Sequence, residues 1–237
     1  MFFDLTTGHQ TRRGGGGSLS NAPEAHLAVN VYLTLKRAFG GIGPKGSGDE
    51  HGIAGRVGVI SPYAQQIKVL RDKFQASFML EALGHAWQNE VEISTVDAFQ
   101  GREKDVIIVS TVRAAGSRGI GFLADVRRMN VALTRARHGL FVVGSAAALS
   151  VNPKWSELAS LAKNRGGLVR VEDPTCRLLD LSPVGKKKSS SSSSAGGATP
   201  FMLPFGSKAA VVVPPVGLPG PTGEVAIAAG PGQARAV

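Results

Sequence analysis

Three short segments, 61–63, 95–103 and 127–137, carry side chains suited to holding phosphate and charge. Ser61-Pro62-Tyr63 and Thr95-Val96-Asp97 combine hydroxyls with backbone N–H groups, which hold phosphates without reading base identity. Tyr63 adds a ring on which a base can stack, and Arg113 adds salt-dependent attraction for a polyanion. Gln100-Gly101-Arg102-Glu103 joins a glycine, which permits close backbone approach or a turn at positive φ, to a carboxylate. That carboxylate can accept hydrogen bonds from a sugar hydroxyl or a basic neighbour. The stretch Arg127 to Arg137 (RRMNVALTRAR) holds four arginines, and a guanidinium is always charged, planar and suited to charge spread over equatorial phosphoryl oxygens. Asp97 suits orienting an arginine or a backbone group rather than touching phosphate. His9, His26, His51, His85 and His138 are scattered without ligand spacing, and Cys176 is the single cysteine. No metal site and no intrachain disulfide are therefore expected.

The elements that must position these segments alternate. Asn21-Ala22-Pro23-Glu24 offers a cap with an acid three residues on, and Leu27, Val31, Leu35 and Ala38 recur at helical spacing, predicting a helix over 22–39. Arg56 to Ser61 is a β-branched run ended by Pro62, a strand, followed by a helix from about Tyr63 with Ile67, Leu70, Phe74 and Phe78 on its apolar stripe. Strands are predicted at Val91 to Thr95 and at Asp105 to Val112, the second apolar enough to be buried on both faces. Asp125 can cap a helix reaching about Arg137, with Met129, Ala132, Leu133 and Ala136 on its stripe. On such a helix Arg128 and Arg135 share a face about 10 Å apart. Leu140 to Val143, a helix near Pro153 to Asn164 and a strand near Leu168 to Val171 complete the series. Strands separated by helices imply an α/β fold, a parallel sheet with helices on both faces, in which ligands sit at the carboxyl ends of strands.

Composition divides the 237 residues unevenly. Of the net charge of +10, residues 184–237 hold +4, along with seven of the 13 prolines, nine glycines and the Ser189 to Ser194 run. Such a segment buries too little apolar surface to offset its ordering entropy, so a disordered low-complexity tail is expected over 184–237, joined by a linker at 174–183 to a domain at 1–173. Two glycine-rich interruptions, near 12–18 and 40–55, read as flexible loops, and neither contains G-x-x-x-x-G-K-[ST]. No apolar run approaches the roughly 20 residues of a membrane span, and Met1 to Asp4 lacks the layout of a signal peptide. The expectation is a cytoplasmic protein, with Lys186 to Lys188 as a weak nuclear signal.

The segments ISPYAQQ (60–66), STVDAFQGREKDVIIVSTVRA (94–114) and GIGFLADVRRMNVALTRARHGLFVVG (119–144) resemble the late motifs of superfamily 1 helicases. The nearest likeness is to the up-frameshift RNA helicases of nonsense-mediated decay, with senataxin-type helicases close behind. The opening MFFDLTTG and the 22–39 helix resemble the start of that family's second RecA-like lobe. The resemblance covers about residues 1–173 and implies a three-layer RecA-like fold of the P-loop NTPase type. It implies that Arg135 is an arginine finger for ATP, that Gln100, Gly101 and Glu103 meet the nucleotide, and that Gln100 couples nucleotide state to nucleic-acid grip. Ser61, Pro62, Tyr63, Thr95, Val96 and Arg113 would contact single-stranded RNA or DNA.

The same resemblance implies a first lobe carrying a phosphate loop, its lysine, a magnesium-binding Asp-Glu pair and a water-positioning glutamine. Asp49-Glu50 lies in the glycine-rich loop with no buried strand before it, and the other parts do not occur in the sequence. The chain is thus expected to carry half of a site for ATP and Mg2+ and to be inactive alone, with the first lobe supplied in cis in a longer protein or in trans. The alternative expectation is a free-standing nucleic-acid-binding or regulatory module whose half site is vestigial.

Overall fold

Alternation along the strands sorts the apolar side chains into two cores. In the computed structural model, which describes residues 1–12, 18–39, 52–80, 87–114 and 119–175, Phe3, Val57, Val59, Val106, Ile108, Phe141 and Val143 face one side. Phe2, Ile60, Ile107, Val109 and Val142 face the other. The tail at 184–237, most of the linker and most of both glycine-rich loops lie outside the described residues.

The strands are β1 (Phe2–Leu5), β2 (Thr11–Arg12), β3 (Leu19–Ser20), β4 (Val57–Ser61), β5 (Val91–Thr95), β6 (Lys104–Ser110), β7 (Ala136–Gly144) and β8 (Leu168–Val171). Six of them form one sheet in the order β5-β4-β6-β7-β1-β8, every neighbouring pair parallel, while β2 and β3 make a small antiparallel hairpin. The helices are α1 (Ala22–Phe39), α2 (Ala64–Leu80), α3 (Val126–Leu133), α4 (Ala146–Leu149) and α5 (Pro153–Asn164). α1 and α2 cover the first face, where Tyr32, Phe74, Phe78 and Trp87 form an aromatic cluster. α3, α4 and α5 cover the second around Trp155, Met129 and Leu149. This is the expected α/β, RecA-like arrangement of a parallel sheet between two helical layers.

Three features differ from the sequence reading. β1 was not among the predicted strands; it is held in the sheet by pairing with both β7 and β8. β6 ends at Ser110 rather than Val112, because Val112 turns to φ +70 and leaves the ladder. α3 stops at Leu133 rather than near Arg137. Thr134 returns its hydroxyl to the Asn130 carbonyl at 2.7 Å, and the next residues are drawn into β7, where Ala136 pairs with Lys104. The apolar spacing of Ala132, Leu133 and Ala136 is compatible with a longer helix, but pairing with the buried strand β6 prevails.

Candidate functional site

Because all six strands run the same way, the sheet has one carboxyl end and one amino end, and the candidate residues divide between them. At the carboxyl end, Ser61 closes β4 fully buried, and its carbonyl accepts the Val96 N–H at 3.1 Å. Thr95 ends β5 half-buried, its Oγ1 accepting the Ala98 N–H at 3.2 Å and so turning the chain. Pro62, Val96, Phe122, Leu123, Arg128 and Met129 line a small apolar pocket there, together with buried Val109 and Trp155. Of the six residues expected to meet nucleic acid, Pro62 and Thr95 are half-buried, whereas Ser61, Tyr63, Val96 and Arg113 are buried.

Tyr63 is 3% exposed and packs with Leu19 and Val112 while its hydroxyl donates to the Ile120 carbonyl at 3.3 Å. Burial raises its phenol pKa. Its ring offers no open face to a base, and the role this geometry gives it is support of the 119–123 segment. Arg113 donates a hydrogen bond to the Gly119 carbonyl across the same segment.

The turn leading to Arg113 is built on a buried polar cluster that sequence reasoning missed. Glu24, fully buried on α1, accepts the Ser110 hydroxyl and the Val112 N–H through Oε2, each at 2.7 Å, and the Asn21 amide through Oε1 at 3.2 Å. Asn21 also donates to the Val112 carbonyl at 3.1 Å, so both peptide groups of this residue are held by side chains. Gln66 completes the cluster, accepting the Asn21 N–H at 2.8 Å and donating to the Asn21 carbonyl and Ser110 Oγ, each at 3.0 Å. A β-branched residue at φ +70 costs on the order of 1–3 kcal/mol, and these bonds over-determine it. Burial pushes the Glu24 carboxyl up to about 8, against the pull of the Val112 N–H and Ser110 hydroxyl. The available sequence signal was Glu24 itself, an acid on the buried stripe of its helix beside Leu27 and Ala28.

The remaining candidates lie at the opposite end. The segment 96–103 leaves β5 at the carboxyl end and enters β6 at the amino end, a span of about 20 Å at 3.3 Å per residue of β6. It lies across the second face with Phe99 fully buried over Gly58. A Cβ on Gly58 would stand 3.0 Å from Phe99 Cζ and 2.8 Å from Ile107 Cδ1, so only glycine admits the ring here. Gln100, Gly101 and Glu103 are consequently exposed at the amino end of β6, not at the carboxyl ends where the sequence reading sought ligands. Gly101 adopts φ +78, and Glu103 accepts Arg137 Nε at 3.2 Å.

Arg135 is found beside them. It lies past the end of α3, so the shared helical face with Arg128 does not exist. Its carbonyl accepts the Lys104 N–H at 3.1 Å, its Nε donates to the Val131 carbonyl and its Nη2 to Thr134 Oγ1, both at 3.2 Å. A cation on the last carbonyls of a helix is favourably placed. Arg102, Arg128 and Arg137 each pair with a carboxylate, whereas half-buried Arg135 has none among the described residues. α3 descends beside the 96–103 segment; Arg128 of α3 pairs with Asp97 at 3.0 Å near the top, and Arg137, at the start of β7, pairs with Glu103 near the bottom. Among the described residues there is no group of three or more side chains able to hold a metal ion, and no helix long and apolar enough to cross a membrane.

A family model described as an AAA domain matches residues 1–147. The chain belongs to this AAA-domain family. Within it, this AAA-domain chain is akin to the up-frameshift and senataxin-type superfamily 1 helicases. It is 39% identical over 174 residues to the probable helicase MAGATAMA 3 of Arabidopsis thaliana, covering 73% of this chain and 20% of that protein. It is 39% identical over 169 residues to regulator of nonsense transcripts 1 of Dictyostelium discoideum, covering 71% and 12%. Helicase SEN1 of Saccharomyces cerevisiae matches at 34% over 168 residues, covering 70% and 7%. The chain thus spans a fifth or less of the length of these relatives, and the shared part is a helicase-type domain.

Proposed function

We propose that this chain is the second RecA-like lobe of an ATP-dependent helicase acting on single-stranded RNA or DNA, incomplete without a first lobe that carries the phosphate loop and the magnesium ligands. The observation that carries this reading is Arg135. It is a half-buried guanidinium without a carboxylate partner among the described residues, anchored to the end of α3 beside Gln100, Gly101 and Glu103. A guanidinium so held suits phosphoryl oxygens, and the exposed Glu103 carboxylate suits a ribose hydroxyl. ATP bound between two lobes would supply the transferable phosphoryl group; the lobe's part is to neutralise charge developing on it and to exclude water.

Pro62 and Thr95 face the nucleic acid at the other end of the sheet, with Ser61, Val96, Tyr63 and Arg113 holding that surface in shape. The 96–103 segment and α3 connect the two ends, which supports Gln100 as a residue that relays nucleotide state to grip. The test is steady-state ATP hydrolysis with Mg2+ and single-stranded RNA, by the chain alone and with a separately produced first lobe. The expected result is no turnover alone, turnover with both, and loss of at least about 1,000-fold in Arg135→Ala. Hydrolysis by the chain alone, or a mixture indifferent to Arg135→Ala, overturns the reading.

A further inference from the structure

The aromatic residues of this lobe are used almost entirely inside it: Phe2, Phe3, Phe74, Phe78, Phe99 and Phe141 are all buried. Phe39 is half-buried, and Phe122 is the one exposed ring among the described residues, 53% exposed at the carboxyl end of the sheet. It does not sit on a loose loop. It belongs to a 3₁₀ turn, Gly121–Ala124, whose next residue, Leu123, is buried and accepts the Trp155 indole N–H at 2.8 Å. On the other side, Tyr63 meets the Phe122 ring edge-to-face, centroids 5.7 Å apart at 66°, and bonds the Ile120 carbonyl. Gly121 at φ +55 keeps this corner small, since a Cβ there would come within 3.2 Å of the Tyr63 hydroxyl. The ring is therefore held out toward solvent by buried partners.

Arg128 makes the ring part of a composite surface. Its guanidinium lies 5.0 Å from the Phe122 centroid and is oriented by Asp97 at 3.0 Å. Pro62 and Val96 line the small apolar pocket behind them. An exposed aromatic ring joined to a planar cation, on a chain of net charge +10, matches a ligand that is both polyanionic and built of flat π-faces. We infer that Phe122 and Arg128 form a stacking platform for one unpaired base of single-stranded nucleic acid. The inference rests on the nucleic-acid reading proposed above and assigns to Phe122 the stacking that the sequence placed on Tyr63.

The experiment is fluorescence anisotropy of the full chain with a labelled oligothymidine and with the same sugar-phosphate strand made abasic. The wild type is expected to prefer the base-bearing strand by about 5-fold or more. Phe122→Ala and Phe122→Leu are expected to bind the two strands alike, at the wild type's abasic affinity and with an unchanged slope against salt. Phe122→Leu retains an apolar contact for Tyr63, and a thermal midpoint within a degree or so of wild type shows that its fold is kept. Phe122→Trp should retain the preference. Wild type that binds both strands equally, or variants that keep the preference, overturns the platform while leaving the nucleic-acid reading intact. No binding of either strand at low salt overturns that reading and the platform together, and binding of a peptide partner at Phe122 in place of the base would do the same for the platform.

Discussion

Replacing Glu24 with Gln tests whether the buried cluster holds a proton in the folded lobe. Burial moves the carboxyl from 4.5 to about 8, which at about 1.4 kcal/mol per pH unit corresponds to at most about 5 kcal/mol. Between those two values the folded lobe retains a proton that the unfolded chain has released, so raising the pH favours unfolding across this window. The contribution is fully present below about pH 4.5 and gone above about pH 8. Gln cannot titrate, and if its Oε1 takes over the Ser110 and Val112 bonds, its Nε2 faces the Asn21 amide, donor against donor. That contact costs about 1–3 kcal/mol at every pH.

The variant should therefore be less stable than wild type near pH 4.5, and the gap should close or reverse by pH 8.5. Urea denaturation followed by circular dichroism measures this. With a slope of about 2 kcal/mol per molar, the wild-type midpoint should fall by up to about 2 M relative to the variant over that range. His26 acts with the opposite sign, because burial lowers its pKa and its neutral form is favoured in the fold, so the difference between the two proteins isolates Glu24. Midpoints that move in parallel with pH, or a wild type that gains on the variant as pH rises, would show that Glu24 holds no proton in the folded state.

Two further substitutions probe the packing on the two faces of the sheet. Gly58→Ala should destabilise the lobe by about 1–3 kcal/mol, because the new Cβ meets Ile107 and Phe99 inside ordinary contact distance. Hydrogen exchange should rise at Phe99 and Gln100, and an unchanged melting temperature would show that Phe99 does not depend on the space at Gly58. Tyr32→Phe removes the hydroxyl that donates to Glu90 Oε2 at 2.6 Å, leaving that buried carboxylate its 2.8 Å contact with Lys36. A loss of about 1.5–3 kcal/mol is expected, seen by calorimetry as a fall of roughly 3–10 °C in Tm.

Most of the architecture was legible because period and punctuation are local properties. The helix at 22–39, the strand ended by Pro62 and the doubly buried run of β6 all follow from spacing within a dozen residues. The candidate site residues were singled out for the same reason, since RRMNVALTRAR and QGRE stand out as residue types in sequence. Where those residues lie was decided by the tertiary structure. β1, which the sequence reading did not mark as a strand, entered the sheet because two neighbours offered it ladders. Arg135 left its predicted helix because β6 drew the following residues into β7.

Glu103 moved to the amino end of the sheet because the segment before β6 crosses a full strand length over Gly58. Tyr63, the ring that the sequence offered to a base, is buried while Phe122 is exposed, since exposure depends on what packs against a ring and not on the residues beside it in the chain. Local physics, the preferences of neighbouring residues for helix, strand and turn, is written along the chain. Competition for buried partners is not, because its free energy depends on residues brought together from dozens of positions away, as Glu24 and Val112 are.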